Sequence, residues 1–408
     1  MSSARIGVQE LIRKESPLAV YIHCSGHCLN LVIAHSCKLQ PVRNMIDKLK
    51  AVCLFFENSP KRNGMLEAIY NKFIPDKKKR KPLLDLCKTR WAERDEAYQH
   101  FYQSYQFIVR ALECIALGVQ SDDYGEDFRD VTWSASSKSD ANSLLHSVTS
   151  VEFIVIFITV YQILSHLDGI TKKLQKTTLD ILEAYTRINK VKSVYNKLRE
   201  NVEEEFGKIF RQATNMAESV NVTITMPRRC INQRHRPTVE ALSPEQWYLR
   251  NTTIPFLDHI ISELDAQFSG LSQTSTRLLG LVPSVACGEF PVDITEAAKQ
   301  YEEDLPSPEL LEQELTRWRL EFADQSEEER PSSCAQAIHK CDKDEFPNIF
   351  TLLQIACTLP VTSCECERNA STLRRLNTWM RASMAEERLA SLALIHIHYS
   401  ATVSLDEV

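Results

Sequence analysis

VEFIVIFITVYQIL, residues 151–164, is the most apolar window of the chain, and its reading decides the fold class. A helix of that length falls short of the roughly 20 apolar residues needed to cross a bilayer. It also carries Glu152 at its second position. The run therefore predicts a core helix, buried on most sides. Its surroundings agree. From Asn142 to Ser219, apolar residues recur at helical spacing through three expected helices, without strand-like alternation and with Gly169 and Gly207 almost alone as breakers.

Composition points the same way. The chain has 408 residues, 43% of them hydrophobic and 25% charged, which fits a globular protein of two or three domains. Only 10 glycines are present, a scarcity that favours helix over turn-rich sheet. A formal charge of -6 argues against a protein that coats nucleic acid with its whole surface, so any DNA contact is local and weak. Thirteen cysteines, an odd count, follow an N-terminus without the apolar core of a signal peptide. Reduced thiols in the nucleus or, as the alternative, the cytoplasm are expected. No membrane segment and no small-molecule substrate are expected.

Outward from the core window, PLAVYIHCSGHCLNLVIAHSCK (17–38) reads as a buried helix after a short extended lead-in. A helix over Pro41–Asn58 ends at Asn58-Ser59-Pro60, and another follows before the basic break DKKKRKP (76–82). Trp91–Leu117 reads as one long amphipathic helix, with Tyr98, Phe101, Tyr105 and Ile108 on its apolar face. Asp122–Asp140 is polar and reads as a mobile connection. Beyond the basic loop MPRRCINQRHRP (226–237), a helical block spans Ser243–Phe268, whereas Gly270–Pro306 is weakly patterned. Helices return at Pro308–Ala323, Ser332–Ala337 and Pro347–Leu359, with the acidic run QSEEERP (325–331) after the first of them. At the C-terminus, Thr362–Glu365 and Ser383–Glu386 both fit the capping box. The first opens a helix with the stripe Leu373, Leu376 and Met380. The second opens MAEERLASLALIHIHY (384–399), apolar nearly all round and so in need of cover from its own domain or a partner.

Common enzyme signatures are absent: no glycine-rich phosphate loop, nucleophile elbow or HExxH occurs. Cys24-x-x-His27, with His23 and Cys28 beside it, invites a zinc reading. No second pair of suitable spacing accompanies it, so the expectation is buried helix thiols and no metal. The basic run Lys77–Lys81 suits either a nuclear import signal or a solvated loop, and the second basic loop is open in the same way. Glu367 is the acid in question near the C-terminus. Phosphoryl transfer on two metals needs about three carboxylates converging from separate elements. A lone glutamate near a helix start is otherwise explained by the helix dipole or by pairing with Arg374.

The stretch LPVTSCECERNASTLRRLNTWMRASMAEERLASLALIHIH (359–398) resembles the C-terminal dimerisation region of hAT superfamily transposases, most similar to domesticated vertebrate members and to MYM-type zinc finger relatives. HCSGHCLNL (23–31), with Cys24 and His27, resembles the family's C-x-x-H motif. CKTRW (87–91), with Arg90 and Trp91, resembles its R-W motif. The likeness thus covers nearly the whole chain.

That resemblance implies a mostly α protein: a large all-helical insertion domain over 23–335, a truncated RNase H-like α/β remnant over 1–22, and the C-terminal helices of 336–408, which complete the remnant and dimerise. It makes Glu367 the third catalytic acid, followed by Arg368 of the E-R motif. Trp91, Arg90 and Arg368 become DNA-contacting residues, with Trp91 the base-stacking platform. Leu376, Leu389, Leu392 and Ile395 become dimerisation anchors. The family's first two acids precede the C-x-x-H helix, so the expectation is a chain that starts after them and lacks the N-terminal zinc finger. Asp47 and Asp85 are poor substitutes. Magnesium or manganese would then bind only with the upstream core attached, and this chain has no cofactor and no enzymatic activity of its own. It self-associates as a homo-oligomer. The alternatives are the C-terminal fragment of a cleaving transposase and a nuclear, DNA-associated transcriptional regulator.

Overall fold

The computed structural model describes residues 7–19, 21, 23–74, 83–84, 91–118, 131–174, 181–227, 243–268, 277–288, 292–359, 364–378 and 383–398. Among them there is no strand, and the α-helices in chain order are α1 (Val8–Glu15), α2 (Ser25–Ser36), α3 (Gln40–Glu57), α4 (Pro60–Phe73), α5 (Trp91–Leu117), α6 (Ala135–Val148), α7 (Val151–Ser165), α8 (Asp168–Leu174), α9 (Ile181–Glu200), α10 (Val202–Glu218), α11 (Pro244–Tyr248), α12 (Ile254–Phe268), α13 (Pro283–Ala286), α14 (Thr295–Gln300), α15 (Leu311–Ala323), α16 (Cys334–Lys340), α17 (Pro347–Thr358), α18 (Cys364–Leu376) and α19 (Glu386–Ile397). The mostly α expectation holds. The chain divides into a central unit, Leu29–Lys172 with Ile188–Gln267, and a flanking unit, Met1–Cys28, Lys173–Arg187 and Phe268–Val408.

In the central unit α7 is the core helix, with every residue from Phe153 to Val160 buried. Ser150 opens it by accepting the Phe153 N–H at 3.3 Å. Its rings meet those of α5: Phe101 lies 5.1 Å from Phe157 and 5.9 Å from Phe153, both edge-on. Tyr98, Phe101, Tyr105 and Ile108 are all buried, as their spacing predicts. Buried phenols find acceptors on the backbone, Tyr105 on Val148 O at 3.0 Å and Tyr195 on Ile163 O at 2.9 Å. Polar contacts seam the periphery: the ion pairs Arg199–Asp258 and Lys192–Asp265 tie α9 to α12, and a His35–Glu263 hydrogen bond ties α2 to it. Among the described residues no single helix is long and apolar enough to cross a membrane.

Several boundaries differ from the sequence reading. The expected connection Asp122–Asp140 gives way to helix at Ala135, because Ser134 caps α6 by accepting the Ser137 N–H at 3.2 Å. Only Ala141 and Val148 of α6 are buried, so its apolar period is faint. The span 142–219 holds more helices than three, since Asn201 interrupts α9 and α10. The block 243–268 is α11 and α12 joined through a π-turn at Leu249–Thr253. Pro255, at the second position of α12, has no N–H to give the turn before it and crowds the carbonyl four residues back; the wider π-turn accommodates both.

In the flanking unit, the weakly patterned stretch contributes to the core through pieces too short to show a period. A 3-10 turn at Leu278–Leu281 is buried throughout, and α13 follows it. Helix α15 faces them with Glu314, Trp318 and Phe322, one turn apart and all buried. Trp318 Nε1 donates to Leu281 O at 2.8 Å, and its ring lies 5.2 Å from that of Phe346. Arg330 closes the end of α15, donating to the carbonyls of Phe322, Ala323 and Cys287.

Glu314 holds the start of α17. That helix opens Phe346-Pro347-Asn348-Ile349, with no side-chain cap of its own. The Glu314 carboxylate accepts the N–H groups of Asn348 at 3.0 Å and Ile349 at 3.1 Å, and Asn348 Nδ2 at 2.6 Å. A buried anion is thus satisfied by two orphan helix amides and the positive end of the dipole. Asn348 in turn bonds the Ser307 backbone through both side-chain atoms. Glu314→Ala leaves these donors buried without acceptors, and about 2–3 kcal/mol of stability is expected to go. Urea unfolding checks this; an unchanged midpoint contradicts it.

Candidate functional site

The C-terminal helices carry the site. Helix α18 ends with Arg374 and Arg375 in its last turn, and α19 begins with Glu386 and Glu387, each set placed favourably for the helix dipole. Ala385, not Ser383, stands at the α19 N-cap, and no side chain caps it; the capping box expected at Ser383–Glu386 does not form. The Thr362 box lies outside the described residues.

Helices α18 and α19 pack on one another. Leu389, Leu392, Ala393 and Ile397 recur at i, i+3, i+4 and i+8 and are half-buried, as is Leu376. The rest of the apolar surface of α19 faces outward: Leu394 is 60% and Ile395 69% exposed, and Leu373 on α18 is 43% exposed. No residue of α19 is buried. Covering a leucine or isoleucine fully contributes about 1.5–3 kcal/mol, so this surface is a strong candidate for contact with another chain. Of the expected anchors, Ile395 lies on the open face, while Leu376, Leu389 and Leu392 are already partly covered. The sequence reading passed over Leu394, because a helix apolar nearly all round does not disclose which face its neighbour takes.

The other expected residues fall on other elements or outside the described residues. Glu367 and Arg368 sit in the first turns of α18 and Trp91 opens α5, but their side chains, like all of Arg90, lie outside the described residues. So do Asp85 and both basic loops; Asp47 is exposed on α3. Cys24 is half-buried just before α2, where its carbonyl accepts the Cys28 N–H at 2.9 Å. His27 is exposed on the first turn of α2. Burial, then the neighbouring Cys24, pushes the Cys28 thiol up to about 11, away from the thiolate that metals bind. Among the described residues, no group of three or more His, Cys, Asp or Glu is arranged to hold a metal ion.

Residues 324–400, which include α16 to α19, match the hAT family C-terminal dimerisation region. The chain carries a hAT dimerisation region. Along 99% of its length it is also similar to the protein named the 52 kDa repressor of the inhibitor of the protein kinase, at 29% identity over 410 residues in human and over 409 in mouse. The chain spans about half the length of these curated relatives, 52% of each. The exposed Leu373, Leu394 and Ile395 fall inside the hAT region.

Two buried thiols give a check on this part of the structure. Burial, followed by Glu314 and Asp342, pushes Cys341 up to about 12. At pH 8, alkylation of Cys28 and Cys341 in the folded chain is expected to be on the order of 100-fold slower than in urea. Mass spectrometry of iodoacetamide-treated peptides reads this out, and equal labelling rates contradict it.

Proposed function

We propose that this chain acts by self-association through α18 and α19, as a transposase-derived interaction protein. The observation that carries the reading is the open apolar face of α19, with Leu394 and Ile395 mostly in water, inside a region matched to a dimerisation module. A second copy offering the same face satisfies it, as two-fold pairing requires.

A regulatory role in the nucleus extends this reading. It draws on the relatives' name, which speaks of a repressor, and on the run Lys77–Lys81, which suits an import signal. Local DNA contact through Trp91, Arg90 and Arg368 belongs to the same extension. Strand cleavage is no part of it: Glu367 offers one carboxylate where the chemistry needs several from separate elements. Magnesium-dependent nicking of DNA, abolished by Glu367→Gln, would count against that.

Light scattering tests the association. The chain is expected to run at twice its 46.7 kDa at tens of micromolar, and Leu394→Asp with Ile395→Asp at the chain mass. Each aspartate places a charge in a contact core, enough for a loss of at least about tenfold in affinity. A wild-type chain at 46.7 kDa, or a variant with the wild-type mass, overturns the reading.

A further inference from the structure

We infer that a groove at the start of α15 seats the arginine-rich end of α18 from a second copy of this chain. The inference rests on self-association and names a second contact for it, away from the α19 face.

The groove lies among α14, the following loop and the first two turns of α15, with a volume of about 400 Å³. Leu305, Leu311 and Leu315 form an apolar floor, and Glu302, Glu309 and Glu312 stand around it, all three exposed. Lys299 is the base in the lining. Among the described residues, none of the three carboxylates has an ion-pair partner. An apolar floor inside an acidic rim suits a helix that offers a large apolar side chain flanked by cations.

This chain holds such a segment. RNASTLRRLNTWMRASM, residues 368–384, has Arg368, Arg374, Arg375 and Arg381 and no acid. In α18, Arg374 and Arg375 are exposed and Leu373 is 43% exposed, so within one chain they are not seated. Arginine forks match carboxylates in pairs, which gives the contact direction as well as attraction. Leucine at 373 supplies the side chain for the floor. An acidic rim repels nucleic acid, so DNA is disfavoured at this groove.

A charge swap in the full chain is the test. Glu302→Lys, Glu309→Lys and Glu312→Lys together are expected to weaken self-association by about tenfold, and Arg374→Glu with Arg375→Glu by a similar factor. Mixed in equal amounts, the two variants regain complementary charge at both reciprocal contacts, and light scattering should show association restored. Both variants associating as wild type, or a mixture no better than its parts, overturns the inference. If Leu394→Asp with Ile395→Asp dissociates the chain while the charge variants do not, association stands and the groove contact falls. If the wild-type chain is monomeric, fluorescence anisotropy of a labelled 368–384 peptide decides: saturable binding lost on the triple reversal supports the groove, and no such binding overturns it.

Discussion

An apolar helix face in water has to be covered, and in an all-helical chain nearly everything else follows from how each helix meets that demand. Helix α7 meets it inside the central unit. It is buried along its length by the aromatic face of α5 and by α3 and α10, and the phenols brought in with those faces are satisfied by backbone carbonyls. Helix α19 is covered on one side by α18 and left with an open apolar face on the other. The difference between the two separates a scaffold from a surface.

In the flanking unit, directed polar contacts hold the helices as well. Glu314 reaches from α15 to cap α17, Trp318 bonds the turn at Leu281, and Arg330 closes the end of α15. Each is a polar group with its partners fixed by distance and direction. The acidic groove uses the same helix. The buried acid of α15, Glu314, holds the fold, while the outward acids Glu309 and Glu312 stay exposed at the groove rim.

Much of this was legible in the sequence wherever a helix was long and one-sided. The span of α5, its four core residues and the start of α17 follow from spacing and from a proline signal. Short elements escaped, because the turn at Leu278–Leu281 and helices α13 and α14 are each shorter than two turns, too short for an apolar period to recur. The role of Glu314 escaped for a different reason: its partners lie 34 and 35 residues away, and no local pattern marks a distant cap. At the site, apolar character marked Ile395, while the choice between Leu394 and Leu389 as outward residues depends on where α18 packs.

Hydrogen exchange of α19 as a function of protein concentration tests the central claim most directly. If a second copy covers the Leu394 and Ile395 face, the amides of α19 gain protection as concentration rises through the association range, while those of α7 stay as they were. Exchange in α19 that is independent of concentration would contradict the account.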